Sequence, residues 1–138
     1  MNNLIIKRSQ IVYAQLATTT VGQKYQFADN PMLSQNNILL YGIECFTATQ
    51  LSTVPTGQTV IPAATVDQIV VTLVDNQKKE FVYQMPIYSM VRSLNGGFVV
   101  MVEPRIINLT NCYVQITNNS GLSANEVVPF NFYFDFIK

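Results

Sequence analysis

The segment Phe130-Asn131-Phe132-Tyr133-Phe134-Asp135-Phe136 decides the fold, because a phenylalanine recurs at every second residue. Successive side chains of a β-strand point to opposite faces of the sheet, so this alternation puts all the phenylalanines on one face. Each aromatic ring removes about 150–250 Å² of surface from water, and burial stabilises by roughly 25 cal/mol per Å². The segment therefore predicts a strand whose phenylalanine face forms a major part of a hydrophobic core.

Other parts of the chain show the same alternation or a short apolar run. These segments are Ile11–Ala17, Lys24–Ala28, Asn37–Thr49, Gln68–Val74, Glu80–Gln84, Gly97–Glu103, Cys112–Thr117 and, at the end, Val128–Phe136. Turn-forming residues separate several of them, most clearly the polar run Asp75–Lys79, which predicts a hairpin turn. About eight short strands at fairly even spacing are typical of an antiparallel sandwich or barrel.

Two segments depart from the strand pattern. Within Met85–Arg92, apolar residues stand at positions 87, 90 and 91, a helical spacing, and Pro86 suits the first turn of a helix. We expect one short helix there. The stretch Ser52–Thr65 carries Pro55 and Pro62 and is rich in threonine, which predicts a long surface loop that is either functional or a plain connection between strands.

Composition points towards association and away from nucleic acid. The chain has 138 residues, the size of one domain, and its formal net charge is zero with only 12% charged residues. About 25% is usual, so copies of the chain repel one another weakly. The basic residues are scattered, and phosphate binding needs a basic face. No apolar run approaches the roughly 20 residues of a membrane span, and the N-terminus lacks a secretory pattern, so we expect a protein made in a cytoplasm.

The residue types that most enzymes use are missing or isolated. The chain contains no histidine, which removes the usual general base and the commonest metal ligand. Cys45 and Cys112 lie in apolar strand-like runs, so we interpret them as buried free thiols without metal-ligand spacing. We therefore expect no enzyme activity, no cofactor, and no catalytic, cofactor-binding or metal-binding residues.

Carboxylates and tyrosines are the remaining candidates. A pair of carboxylates can hydrolyse glycosides, and the residues considered are Glu44, Asp67, Asp75, Glu80, Glu103, Glu126 and Asp135. Glu44 stands in an apolar run and Asp135 faces away from the phenylalanine stripe, so we interpret both as solvent-facing or interface residues. Tyrosines at outward strand positions favour a protein interface over a sugar-stacking platform, and these are Tyr13, Tyr41, Tyr88, Tyr113 and Tyr133.

The second part of the chain, from about Asn37 to Lys138, resembles a known family. The likeness rests on Asp67–Val74, Glu80-Phe81, Met85–Met90, Glu103–Ile116 and the strand Val128–Phe136, in that order. This pattern is similar to the single jelly-roll capsid proteins of tailless icosahedral phages, including the small penton proteins that fill five-fold vertices. It is a pattern of strand order, length and composition without an invariant motif.

The resemblance implies a single jelly-roll domain over residues 1–138 that serves in the virion as a penton, vertex or minor capsid component. The implied partners are copies of itself, with a pentamer at a vertex, and other capsid proteins close to an inner membrane of the virion. The segment Met1–Gln10 is then a candidate N-terminal arm that reaches a neighbour, although a frayed terminus explains it equally well. The alternative is a carbohydrate- or receptor-binding jelly roll, because that fold also serves in lectins.

Overall fold

A computed structural model describes residues 8–28, 38–51, 54, 57–91 and 99–136, without the side chains of 8, 99–103 and 136. The strands are β1 (Arg8–Leu16), β2 (Lys24–Gln26), β3 (Ile38–Cys45), β4 (Ile69–Val74), β5 (Glu80–Pro86), β6 (Val99–Ile107), β7 (Tyr113–Ile116) and β8 (Glu126–Phe136). Each of them overlaps one predicted segment. The predicted all-β class, with antiparallel strands, is confirmed.

The strands form two four-stranded sheets with the topology of a jelly roll. Sheet A has the order β1-β8-β3-β6 and sheet B the order β2-β7-β4-β5. The strand pairing is nested: the first strand pairs with the last, and each following strand pairs with the next one inward. The pairs are β1 with β8, β2 with β7, β3 with β6 and β4 with β5. The chain is therefore one long antiparallel hairpin, wrapped so that its pairs alternate between two sheets. This is the jelly-roll arrangement that the family resemblance implied.

The core lies between the sheets, where the period-two alternation predicted it. Phe130, Phe132 and Phe134 are at most 1% exposed and point inward from β8. Phe27 adds a further ring, in edge-to-face contact with Phe130 at 5.5 Å and with Phe132 at 5.8 Å between ring centroids. The side chain of Phe136, which belongs to the same predicted stripe, lies outside the described residues.

The helical prediction is confirmed as a single 3₁₀ turn, η2 (Ile87–Met90), which follows Pro86 and buries both of its end residues. Two further 3₁₀ segments, η1 (Ala63–Gln68) and η3 (Leu109–Asn111), were not predicted. The prediction of a surface loop before η1 is wrong for its apolar residues. Val54, Val60 and Ile61 are at most 2% exposed and close one end of the core.

The turn between β4 and β5 forms as predicted. Asp75 Oδ1 accepts hydrogen bonds from the backbone nitrogens of Gln77 and Lys79, each at 2.9 Å, and Lys78 adopts a left-handed backbone with φ 64°. Asp75 Oδ2 also lies 3.9 Å from an Arg105 nitrogen. The carboxylate thus organises the turn that forms the tip of the wrapped hairpin.

The predicted arm Met1–Gln10 is too long. Residues 8–10 belong to β1 and pair with 132–134 of β8, because this part of the chain continues the regular ladder of the edge strand. Residues 1–7 lie outside the described part of the chain. Among the residues that the structure describes, no helix is both long enough and apolar enough to cross a bilayer.

Candidate functional site

Three loops meet at one end of the sandwich, which we call the loop end. Because β8 runs antiparallel to both β1 and β3, the segments that follow β1 (17–23) and β3 (46–68) and the one that precedes β8 (117–125) gather there. Hydrogen bonds join the loops: Asn125 N donates to Leu16 O at 2.9 Å, and Asn119 Nδ2 donates to Thr19 O at 3.1 Å. The turn at Asp75 lies at the opposite end.

The loop end carries almost no charge. The segments 17–23, 46–66 and 117–125 contain no Asp, Glu, Lys or Arg, and their polar residues are Thr, Ser, Asn and Gln, while Lys24, Asp67 and Glu126 border them. The opposite end has Asp75, Lys78, Lys79 and the guanidinium of Arg105. The few charges of the chain are therefore distributed unevenly, and these loop segments contribute none of them.

Close contacts hold the loop end in one arrangement. Gln68 donates to Ser120 Oγ at 3.3 Å and accepts from Gly121 N at 3.3 Å. A Cβ added at Gly121 would stand 2.9 Å from Thr65 Cγ2, so the residue must be small because the loops approach closely there. Thr65 in turn donates its hydroxyl to Pro62 O at 2.7 Å, which ties η1 to the same cluster.

An open pocket of about 390 Å³ lies between two of these loops, lined by residues 57–59 and 123–126. Thr59 O accepts from Val127 N at 2.9 Å, and Ile61 N donates to Val127 O at 3.1 Å. The segment 59–61 therefore adds a short parallel pairing to β8 at this end of sheet A. The opposite wall is a turn in which Ser123 N donates to Glu126 Oε1 at 2.8 Å. Sequence reasoning missed this pocket.

Glu44 was interpreted as solvent-facing or as an interface residue; the solvent-facing alternative is wrong, because the side chain is 0% exposed, and the interface alternative stays a prediction. Its register places it beside Asn131 on β8, yet its side chain is fully buried. The Tyr133 hydroxyl donates to Glu44 Oε1 at 2.7 Å, and Asn131 Nδ2 donates to the same oxygen at 3.2 Å. The outer-face side chains of β8 therefore satisfy the carboxylate, which is the condition for burying a polar group at tolerable cost.

The two leading carboxylates do not meet. Glu44 pairs with Asn131 and Asp135 pairs with Leu39, so four residues of β8 separate their positions. At about 3.3 Å per residue this is roughly 13 Å, beyond the spacing of about 5–9.5 Å that paired glycosidase carboxylates require. Asp135 is half-buried, Asp67 is exposed, and the side chain of Glu103 lies outside the described residues.

The other acids hold local structure. Besides Asp75 in its turn and Glu126 in the pocket wall, Glu80 Oε2 accepts from the Tyr113 hydroxyl at 3.4 Å. Across the described ranges, no three residues of the His, Cys, Asp and Glu types lie together as metal ligands.

The predicted tyrosines do not form one surface. Tyr13, Tyr41 and Tyr133 are half-buried in sheet A, whereas Tyr113 is 8% exposed in sheet B and Tyr88 is 48% exposed in η2. Tyr113, expected to face outward, is covered in part by Lys24, whose Nζ lies 4.6 Å from the ring centroid.

Both cysteines are free and buried, as predicted. Burial raises the pKa of the Cys112 thiol to about 12, although a hydrogen bond from the Val74 backbone partly opposes the shift. Burial likewise raises the pKa of the Cys45 thiol far above its usual range. Neither sulfur is therefore a nucleophile at neutral pH, since the thiolate is the reactive form.

Comparison with protein-family models, curated proteins and solved structures gives no match. The functional argument therefore rests on the fold, the uncharged loop end and the pocket.

Proposed function

We propose that this protein is a structural subunit of an icosahedral viral capsid, a penton, vertex or minor component, that assembles with copies of itself. The supporting observation is the wrapped-hairpin topology, with sheets β1-β8-β3-β6 and β2-β7-β4-β5. The main users of this architecture are viral shells, lectins and cupins. The proposal stands on fold-level analogy together with the surface properties of this chain.

The distribution of charge supports assembly at the loop end. A ring of identical subunits brings the same surface of every copy close to the symmetry axis, so any charge there is repeated and repels its copies. The loop segments 17–23, 46–66 and 117–125 have no charged residue. Neutral polar loops can pack about an axis without that repulsion, and their amides and hydroxyls remain available for hydrogen bonds.

The edge strands suggest where a neighbour could also attach. Edge strand β6 contains Pro104, and β5 ends at Pro86 after a positive φ at Gln84, features that oppose strand pairing. Edge strand β1 is regular, with all nine residues in register against β8, and its outer edge is bridged within the chain where Ala14 pairs with Phe27 and Ala28 N donates to Tyr13 O at 2.8 Å. β1 begins at Arg8, at the end of sheet A opposite the loop end.

Native mass spectrometry and electron microscopy of purified protein, together with analysis of whole particles, test the proposal. We expect a closed homo-oligomer whose population grows with protein concentration. Ala17→Lys adds a charge at the loop end and should weaken assembly, whereas Gln77→Lys adds the same charge to the exposed turn at the opposite end and should not. A strict monomer at high concentration that is also absent from purified particles would refute the proposal.

A further inference from the structure

The pocket at the loop end has the chemistry of a binding site for a neutral saccharide, and we infer that it binds one. It lies between residues 57–59 and residues 123–126, and its volume of about 390 Å³ is at the small end of the range for ligand sites. The inference goes beyond the capsid proposal, because the pocket is formed within a single chain and needs no assembly.

The pocket walls are fixed by contacts outside the pocket. Gln15 Nε2 donates to Asn125 Oδ1 at 3.1 Å, and Asn125 N donates to Leu16 O at 2.9 Å, which anchors one wall to β1. Gly57 forms the rim of the other wall with φ +90°, a backbone conformation that favours glycine, and its N donates to Val54 O at 2.8 Å. These contacts tie both walls to the sandwich, and most of the lining residues remain exposed to solvent.

Several polar atoms that line the pocket have no partner among the described residues. Glu126 uses Oε1 to accept from Ser123 N, while its Oε2 accepts nothing. The hydroxyls of Thr59 and Ser123 and the Nδ2 of Asn125 likewise make no hydrogen bond within the described chain. The pocket thus offers an acceptor carboxylate oxygen, a donor amide and two hydroxyls that do both.

This combination of hydrogen-bond donors and acceptors determines which class of ligand fits the pocket. An anion is disfavoured, because Glu126, which is negative, is the only charged residue among the described residues of the lining. An ammonium group only donates hydrogen bonds and would leave the Asn125 amide without an acceptor. The hydroxyls of a sugar both donate and accept, so adjacent hydroxyls match the carboxylate and the amide together. The described lining residues include no aromatic ring, so recognition by them depends on hydrogen bonds and not on stacking.

A titration of isotope-labelled protein with the methyl glycosides of glucose, galactose and mannose, followed by amide NMR shifts, tests the inference. We expect at least one glycoside to shift the amides of 57–59 and 123–126 in a saturable way. Glu126→Gln retains an oxygen for the Ser123 bond but removes the charge, and should weaken binding at least about tenfold, because hydrogen bonds to charged groups are the stronger ones.

Thr59→Val removes only a pocket hydroxyl and should also weaken binding. Thr117→Val makes the same change at an exposed position of the loop end outside the pocket and should leave affinity unchanged. The inference is overturned if no glycoside shifts these amides, if methylammonium chloride shifts them and the glycosides do not, or if Glu126→Gln and Thr59→Val both bind like the parent. The titration measures saccharide binding to the pocket whether or not the protein assembles. Its result is therefore independent of the result of the capsid test.

Discussion

Replacing Phe132 by alanine should remove a large part of the stability of the protein. The ring is fully buried on β8 and packs edge-to-face against Phe27 at 5.8 Å and against Phe130 at 6.5 Å between centroids. Loss of a buried phenylalanine costs about 3–5 kcal/mol through lost burial and the cavity left behind. The two ring contacts, each worth about 0.5–1.5 kcal/mol beyond area, place Phe132→Ala near the upper end of that range.

A loss near the upper end of that range is about a third or more of the roughly 5–15 kcal/mol by which domains are stable. Urea unfolding followed by circular dichroism measures it, and a thermal melt should move down by about 15–20 °C, at about 4 °C per kcal/mol for a domain of this size. Ile11→Ala, on the outer face of β1 where the side chain is 37% exposed, is the matched control and should cost less than about 1 kcal/mol. If Phe132→Ala cost no more than this control, the placement of the ring in the core would be refuted.

Three smaller perturbations test other contacts. Tyr133→Phe removes a donor from the buried Glu44 carboxylate and should lower the free energy of unfolding by about 1–3 kcal/mol; an unchanged urea midpoint would contradict that contact. Gly121→Ala should cost about 1–3 kcal/mol by overpacking, and adding Thr65→Ser, which removes the clashing methyl, should recover most of the loss in a double-mutant cycle. The Cys112 thiol should resist a thiol reagent at pH 8 until urea unfolds the chain. The pKa of the Cys112 thiol is raised to about 12 in the folded protein. The stabilisation that this thiol provides should therefore be intact below its unfolded pKa of about 8.5 and decline as pH rises from there. Labelling of the native protein by the thiol reagent would refute the burial of Cys112.

The strands were predictable because their signal is local. Alternation along β8 and β1, and the polar turn at Asp75, each lie within a dozen residues and report the strand period or the turn chemistry directly. The 3₁₀ turn at Ile87–Met90 was found for the same reason, since Pro86 and the apolar spacing stand together in the sequence.

The features that the sequence did not predict depend on contacts between residues far apart in the chain. Glu44 is buried because Asn131 and Tyr133 donate to it from positions 87 and 89 residues away, and no pattern near residue 44 records them. Val54, Val60 and Ile61 close one end of the core. Their spacing fits neither the strand period nor the helix period, so the sequence pattern did not predict their burial. The pocket joins two loops that become neighbours only when 59–61 pairs with β8. The absence of charge from the loops was visible in the sequence, but their meeting at one end follows from strand order.

The pairing of first strand with last also governs when the chain can fold. Sheet A is complete only after β8 inserts between β1 and β3, which end at residues 16 and 45 and so lie far before it in the sequence. Contacts of such high sequence separation make folding slow, because loop closure must precede the stabilising contacts. During synthesis the apolar faces of β1 and β3 therefore stay uncovered until β8, which carries the phenylalanines, has been made. Folding should accelerate sharply only once residues 126–136 have left the ribosome. Until then the strands of the nascent chain are exposed, and exposed strands can aggregate or bind chaperones.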